Sequence, residues 1–372
     1  MISIANAYKS FIMNKLVIFF FFSLSLILFL SNDLAAQKRS SARRKSRKIA
    51  NFKGVKVSFK EKRYLAIGAN LNSLNYFGDL APKSGIGSTD ISFTRPGFGL
   101  SGHYRMGPRF AIRTDLNWGR LRGDDSESAD PYDVNGRFRY VRNLSFRNDI
   151  KELNLMFIFD LFKNKGTYIT RVLMTPYIAG GIGIVHHNPM GLAPSVDDFG
   201  QPLAEAGKWV ALKPLGTEGQ LSDEYNVDPY SNFLINIPLA VGMRFKMTQN
   251  FDLAFEIGYR HLFSDYIDDV SNYYVDPGVL DGPLARTMAD RSREPVTSVS
   301  NIERDQEAIS QVTREVPIIS KFTGETFTRY GGYGYEHPEN NRGHSTDNDI
   351  YLITSIKLTY ILSGSFRNAK FR

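Results

Sequence analysis

The chain of 372 residues contains no cysteine. It therefore forms no disulfide in an oxidising compartment and carries no lipid anchor on an N-terminal cysteine. After the N-terminal region, no apolar run reaches the ~20 residues that a membrane helix needs. Such a helix would stop an exported chain in the inner membrane, so its absence is a condition for reaching an outer membrane.

One apolar run stands near the N-terminus, from Leu16 to Leu30, directly behind Lys15. Small residues follow it up to Ala36. The pattern predicts a secretory signal peptide over residues 1–36, cleaved after Ala36. A retained anchor helix is the alternative, which the shortness of the run and the cleavage-site residues disfavour.

Acidic residues are nearly absent from residues 37–63, where twelve Lys or Arg stand against one acid, Glu61. This segment carries a net charge of +11, whereas the whole chain carries a formal net charge of +8, so the basic character of the chain comes from this segment. Such a block predicts a disordered periplasmic arm, or otherwise an anion-binding element. After export, its available partners are acidic protein surfaces or anionic lipid headgroups, not nucleic acid. The candidate partner contacts are Arg43, Arg44, Lys45, Arg47 and Lys48.

The strongest pattern in the chain runs from Phe233 to Phe263. Every odd position from 233 to 245 is a large apolar residue, and the alternation resumes at Phe251 after a polar turn. A period of two on both arms predicts a β-hairpin. The arms are about twice the usual strand length, which favours a membrane barrel with strands of roughly 9 to 11 residues over a soluble sandwich.

The same alternation predicts eight strands between residues 64 and 362, followed by a C-terminal tail at 363–372. Long loops at 76–92, 122–145, 188–230 and 265–348 alternate with short turns. We therefore predict an all-β fold, an eight-stranded antiparallel transmembrane outer-membrane β-barrel with short periplasmic turns and long extracellular loops.

Two features of these strands and loops produce further expectations. Pro238 lies inside the sixth strand, where it cannot donate to the ladder, and it predicts a β-bulge. The last loop is too long to lack structure inside a compact domain, so we expect it to be mobile or ordered by a partner.

The interior of an eight-stranded barrel is narrow enough for side chains to fill, so a wide pore is not expected. Strand parity turns seven charged side chains inward, and buried charges persist when they are paired. The sequence thus predicts a lumen charge network made of Arg113, Asp115, Glu152, Arg244, Glu256, Arg260 and Lys357.

The sequence contains only weak candidates for metal-binding or catalytic motifs. His186 and His187 lack further ligands at metal-site spacing, and the acids that begin the last loop lack the alternating pattern and glycine of a calcium loop. A catalytic site would need a nucleophile and a base held together, which spacing does not indicate. We expect no enzymatic activity, no cofactor, no metal and no small-molecule substrate.

Four stretches of the chain resemble the PorG family of outer-membrane barrels, which is associated with the type IX secretion system of the Bacteroidetes. The stretches are residues 75–80, 142–148 and 215–220, and a fourth made of residues 259–260 and 265–271. The family-motif residues in the loops are Tyr76, Gly78, Asp79, Thr217, Glu218, Gly219, Gln220, Asp265, Asp268 and Asp269.

The resemblance implies a non-enzymatic barrel that anchors or aligns the periplasmic ring of the secretion machine at the outer membrane. Its implied partners are ring components, other barrels of the system and outer-membrane lipid. The basic arm and the stretch from Arg286 to Arg342 depart from the family pattern. Two alternatives are a small surface barrel whose long loops bind a ligand, host surface or neighbouring barrel, and a lipid-modifying enzyme.

Overall fold

The computed structural model describes residues 62–80, 93–345 and 348–362. The predicted signal peptide, the basic arm up to Glu61 with its five candidate contacts, and the C-terminal tail lie outside these residues. The strands of the described chain are β1 (Leu65–Phe77), β2 (Arg95–Arg105), β3 (Phe110–Asp124), β4 (Ser145–Asp160), β5 (Met174–His186), β6 (Pro189–Leu192), β7 (Trp209–Ala211), β8 (Phe233–Lys246), β9 (Phe251–Leu262), β10 (Glu315–Ile319), β11 (Thr326–Tyr330) and β12 (Ile350–Leu362).

Eight of these strands close into a barrel. They pair in the order β3, β2, β1, β12, β9, β8, β5, β4, and β3 pairs with β4 to complete the ring. Each of the eight pairings is antiparallel. The prediction of an eight-stranded antiparallel barrel is confirmed, and the closed ring leaves no exposed edge among its strands.

The wall of the barrel is apolar outside and mixed inside, as the period of two in the sequence predicts. In β8, Phe233 is 63% exposed, whereas the next residues on the other face, Leu234 and Asn236, are 8% and 0% exposed. Comparable exposed apolar residues occur on every barrel strand. An apolar belt of this extent is what bilayer hydrocarbon covers, since water-soluble monomers expose far smaller patches.

The expected bulge at Pro238 is absent, so that prediction is wrong. Pro238 pairs with Arg260 of β9 in unbroken register. On its other side, β8 keeps the same register with β5 before and after the proline, but the ladder is interrupted between Gly180 and Gly183. Because the missing donor is accommodated by a local gap in pairing, no extra residue is needed.

Two kinds of connection distinguish the barrel ends. At the short-turn end, residues 106–109, 161–173 and 247–250 join consecutive strands. At the long-loop end, β1, β3, β5 and β9 continue into long loops, and β1 and β3 extend into the first two predicted loops, ending at Phe77 and Asp124. We name the described residues of these loops the loop cap, which comprises 78–80, 93–94, 125–144, 187–232, 263–345 and 348–349.

The loop cap has secondary structure of its own. Its helices are α1 (Asp125–Ser128), α2 (Arg137–Arg142), α3 (Gly282–Ala289) and α4 (Gln306–Val312), and β10 and β11 form a hairpin. The Asp305 carboxylate caps α4 by accepting the Ala308 N–H at 3.0 Å. No helix among the described residues is long and apolar enough to cross a membrane.

The fourth loop is folded, contrary to our expectation that it would be mobile or ordered by a partner. Its Tyr274, Ile309 and Tyr333 pack with Val141 of the second loop in one buried cluster. A second cluster packs its Val275, Leu280, Ala285 and Ala289 against Leu215 of the third loop. The partners that order this loop are therefore other loops of the same chain.

A large apolar cluster lies where the barrel meets the loop cap. It combines residues from the ends of the strands with residues of the first, second and fourth loops. Its members include Leu74, Leu80, Leu121, Leu144, Phe146, Ile150, Val185, Leu234, Leu262, Ile267, Val270 and Ile353. This cluster fixes the loop cap on the barrel and closes the long-loop mouth.

Candidate functional site

The first of two central lumen networks surrounds Arg113. Its guanidinium donates to Asp115 at 2.8 Å and to both carboxylate oxygens of Glu256, at 2.6 and 2.9 Å. Lys357 lies 3.1 Å from Glu256, and the Tyr177 hydroxyl donates to the same carboxylate at 2.8 Å. Each buried charge thus has a partner of opposite sign, which is the condition for burying it.

The second network surrounds Glu152. Arg260 Nε donates to Glu152 Oε2 at 3.0 Å, Asn117 donates at 3.0 Å and the Tyr351 hydroxyl at 2.5 Å. Glu152 and Arg260 are 2% and 1% exposed. Charge-assisted hydrogen bonds from several donors offset the free-energy cost of removing the Glu152 carboxylate from water.

The short-turn mouth is closed by arginines. Arg105 pairs with Asp160, which also accepts from Arg244 at 2.7 Å. Arg171 pairs with Asp252 at 2.6 Å and donates to the backbone oxygens of the turn at 247–250. The cavities beside Tyr64 and Arg244 measure only about 20 Å³ and 10 Å³.

All seven charged residues predicted for the lumen lie inside the barrel, but in three groups and not in one. Arg113, Asp115, Glu256 and Lys357 form one group, Glu152 and Arg260 the second, and Arg244 belongs to the short-turn mouth. Among the described residues, polar networks fill the middle of this lumen and ion pairs close its short-turn mouth.

The loop cap contains a second set of buried charges, centred on Arg342 of the fourth loop. Its Nη1 donates to Glu218 Oε1 of the third loop at 2.8 Å and also to the backbone oxygen of Asp269. Glu218 in turn accepts the backbone N–H groups of Ser271 at 2.9 Å and Asn272 at 3.2 Å. Glu218 of the third loop therefore binds both ends of the fourth loop, through Arg342 at one end and through the backbone of Ser271 and Asn272 at the other.

Asp269 holds a strained position beside this pair. Its φ is 70°, the left-handed region that side chains other than glycine seldom adopt. The hydroxyls of Thr217 and Tyr230 donate to its carboxylate at 2.5 and 2.7 Å. Burial raises the pKa of Asp269 to about 6. The surrounding bonds compensate the strain and keep the turn in place.

A group of acids lies at the junction of β1 with the fourth loop. The Tyr76 hydroxyl is 2.6 Å from Asp268 Oδ2 and 2.9 Å from Asp349 Oδ1. A phenol has one hydrogen, so a carboxyl proton is needed to make both contacts hydrogen bonds. Burial and neighbouring carboxylates raise the pKa of Asp349 to about 8 and of Asp265 to about 9, and raise that of Asp268 strongly.

Arg142 connects the second loop to the first and fourth loops. It donates to the backbone oxygens of Arg342 at 2.6 Å and Asp79 at 2.8 Å, and to the Asp125 carboxylate at 2.8 Å. The Asp79 carboxylate accepts the His344 backbone N–H at 2.9 Å. Arg142 and Arg342 together join all four long loops.

The family-motif residues from three distant stretches lie in this one assembly. Gly78 permits a close approach, because an added Cβ would be 2.0 Å from Asp349 Oδ1. Gly219 has a φ of 78°, and the Gln220 side chain accepts the Glu218 N–H at 2.9 Å. Arg342, Asp349 and Asp125 were not predicted as site residues, because no local pattern distinguishes them from other charged loop residues.

The residues considered for metal binding do not converge. Asp268 points toward Tyr76 and Asp269 toward Thr217 and Tyr230, on different sides of the turn. His187 Nε2 contacts the Ser231 oxygen at 2.7 Å, and burial lowers the pKa of His187 to about 4. No group of three or more His, Cys, Asp or Glu that could hold a metal occurs in the described residues.

The barrel is of the outer-membrane type. A family model described as "Domain of unknown function (DUF6089)" matches residues 49–195, less than half of the chain. A comparison with curated proteins finds no match.

Solved structures similar to the chain include three bacterial barrels. Neisserial surface protein A is 10% identical over 80% of this chain and 96% of that chain, with a TM-score of 0.31. The attachment invasion locus protein Ail of Yersinia pestis, in complex with a heparin analogue, is 8% identical over 81% and 97%, with a TM-score of 0.29. The N-terminal barrel domain of Pseudomonas aeruginosa OprF is 8% identical over 79% and 97%, with a TM-score of 0.28. At these sequence identities and TM-scores the similarity carries no argument about function. The assignment of the fold rests on the closed ring of antiparallel strands.

Proposed function

We propose that this protein is a non-enzymatic outer-membrane barrel component of the type IX secretion system, related to the PorG family. In this role it anchors or aligns the periplasmic ring complex at the outer membrane. The short turns lie in the periplasm and the long loops outside the cell, as is usual for barrels of this class. After signal cleavage, the N-terminal arm then lies on the periplasmic side, next to ring components.

The observation that carries the proposal is the assembly of the family-motif residues. Tyr76, Asp79, Glu218 and Asp268 come from separate stretches that together carry the resemblance, and they meet in one buried structure. The resemblance therefore falls on residues that share a structural task, and this supports the proposal. The filled lumen adds support, because it favours a structural role over transport of solutes.

The proposal is tested in a deletion strain of the source bacterium. We expect cargo of the secretion system to accumulate in the periplasm, and a plasmid copy of the full chain to restore secretion. Deletion of residues 38–63 is expected to reduce association with the ring, whereas retained association would count against a role of the arm. Phospholipid and lipid A profiles are expected to stay unchanged, as befits a protein that is not an enzyme.

A surface barrel that binds a ligand through its loops is the second candidate, and a cleft in the loop cap favours it. The cleft measures about 490 Å³ and lies between the third and fourth loops. Asp197, Asp290, Arg293 and Asn301 are among its lining residues. In this case, replacing residues 272–345 by a short linker removes ligand binding and leaves secretion intact.

A further inference from the structure

The short-turn end of the barrel is one connected surface. Arg63 Nε donates to the Met106 oxygen at 3.1 Å, and Lys62 Nζ donates to the Lys165 oxygen at 2.6 Å. The turn at 161–173 is bonded to the turn at 106–109 by Asn164 N–H to Pro108 O at 2.9 Å. We name residues 62–63, 106–109, 161–173 and 246–250 the short-turn platform.

The charge of the short-turn platform has one sign. Its sequence contains seven basic residues and no Asp or Glu, the basic residues being Lys62, Arg63, Arg109, Lys163, Lys165, Arg171 and Lys246. Asp252 neutralises Arg171, and Asp160 is occupied by Arg105 and Arg244. The other six basic residues form no ion pair with a carboxylate in the described part of the chain.

Several of these cations are held in place without being neutralised. Lys62, Arg63 and Lys246 each donate to a backbone carbonyl of a turn. A hydrogen bond to a carbonyl oxygen holds the side chain in place but does not neutralise its positive charge. Because these side chains are already ordered, they lose less conformational entropy when a partner binds them.

The short-turn platform covers the mouth of the barrel and does not merely surround it. Lys62, which precedes β1, reaches the turn between β4 and β5. Tyr168 of that turn packs against Tyr64, which precedes β1, against Ala66 of β1 and against Ile361 of β12. The turn at 161–173 therefore reaches across the mouth to the segment before β1 and to β12.

We propose that the short-turn platform is a docking face for an acidic surface of a periplasmic protein. The inference rests on the proposed function, for which it supplies the chemistry of the partner. Opposite charges on the platform and on the partner surface accelerate the association of the two proteins and select the orientation of the partner. The sign of the charge also distinguishes the two ends of the barrel. The third and fourth long loops have net charges of −5 and −7 over residues 188–230 and 265–348.

The test uses the full chain in cells, with a photo-cross-linking amino acid at Thr167 of the short-turn platform or at Asp223 of the loop cap. The charge-reversal variant combines Lys62→Glu, Lys163→Glu and Lys165→Glu. The matched control reverses three cations at the other end, Lys208→Glu, Arg314→Glu and Lys321→Glu. Heat-modifiable gel mobility reports folding, and Lys165→Glu alone replaces the triple variant if the triple variant does not fold.

We expect a protein adduct at position 167 whose yield falls about tenfold in the platform variant and not in the control. Mass spectrometry identifies the linked peptide, and reversing the acidic residues beside it in the partner should restore the yield. An adduct with phospholipid, a protein adduct indifferent to the charge reversal, an equal loss in the control, or no adduct would each overturn the proposal.

Secretion is measured in the same strains to separate the two proposals. An acidic partner at the platform together with normal secretion in the deletion strain contradicts the proposed function and leaves the docking face valid. Defective secretion in the deletion strain without an adduct at position 167 contradicts the docking face alone.

Discussion

Buried arginines and their acceptors determine much of the behaviour of this protein at the scale of single residues. Arg113, Arg260 and Arg342 are each nearly fully buried, and each donates to a carboxylate. Removing one partner of such a pair is costly because the other charge remains buried. Exposed pairs contribute little, since water already solvates both charges.

We predict that Glu152→Leu destabilises the barrel by roughly 3 to 5 kcal/mol, because Arg260 loses its buried partner. The measurement is the urea midpoint of the folded barrel in lipid vesicles, followed by heat-modifiable mobility. Asp149→Leu is the control, as its pair with Arg120 is about half exposed, and it should cost less than about 1 kcal/mol. Recovery of stability is expected in the double variant Glu152→Leu with Arg260→Met, and equal midpoints for the two single variants would contradict the account.

A second residue-scale prediction concerns Arg342. Arg342→Met leaves Glu218 without its cation and frees the third loop from the fourth, so protease should cleave the loop cap at least about tenfold faster. The assay is limited proteolysis of the folded protein in detergent. The control is Lys321→Met, whose pair with Glu336 is exposed. Unchanged cleavage in Arg342→Met would show that the loops are held by other contacts.

At the scale of elements, the loop cap should respond to pH independently of the barrel. Asp265 and Asp349 have pKa values raised to about 9 and about 8 by burial, and that of Asp268 is raised strongly. A folded state that keeps these protons is favoured at low pH, relative to an unfolded state whose carboxyls ionise near 4. The free energy of unfolding of the loop cap therefore falls as the pH rises from about 4 to about 8.

The measurement is thermal unfolding of the loop cap, followed by the fluorescence of Trp209 in a Trp118→Phe background. We predict a transition that occurs at higher temperature at pH 5 than at pH 8. Asp268→Asn removes one titrating carboxyl beside Tyr76 and should flatten this dependence. A loop cap more stable at pH 8 than at pH 5 would contradict the protonated state of the acids.

At the scale of the whole molecule, the lumen networks and the closed mouths give a prediction about transport. We expect no stable open channel when the purified protein is reconstituted in planar bilayers, because the interior is filled by side chains. Replacing residues 272–345 by a short linker should not open a channel either, since the networks of Arg113 and Glu152 remain. Regular conductance steps from the intact protein would contradict this prediction.

The sequence by itself determined the barrel. Alternation of apolar residues is a local signal, and it gave the eight strands, their inward and outward faces and the position of residues such as Glu256 and Arg260 inside. A strand has only two faces, so parity is enough to decide which side chains point inward. Pro238 was misjudged because a gap in pairing and a bulge have the same local sequence signature.

Only the tertiary structure decided how the loops are organised. The bonds that build the loop cap join residues far apart in sequence, 192 positions for Tyr76 and Asp268, 273 for Tyr76 and Asp349, and 124 for Glu218 and Arg342. No periodicity relates such positions, so their partners cannot be found from the chain alone. The sequence already placed the short turns at one end of the barrel, but the hydrogen bonds that join residues 62–63 to the turns at 106–109 and 161–173 were decided by the tertiary structure.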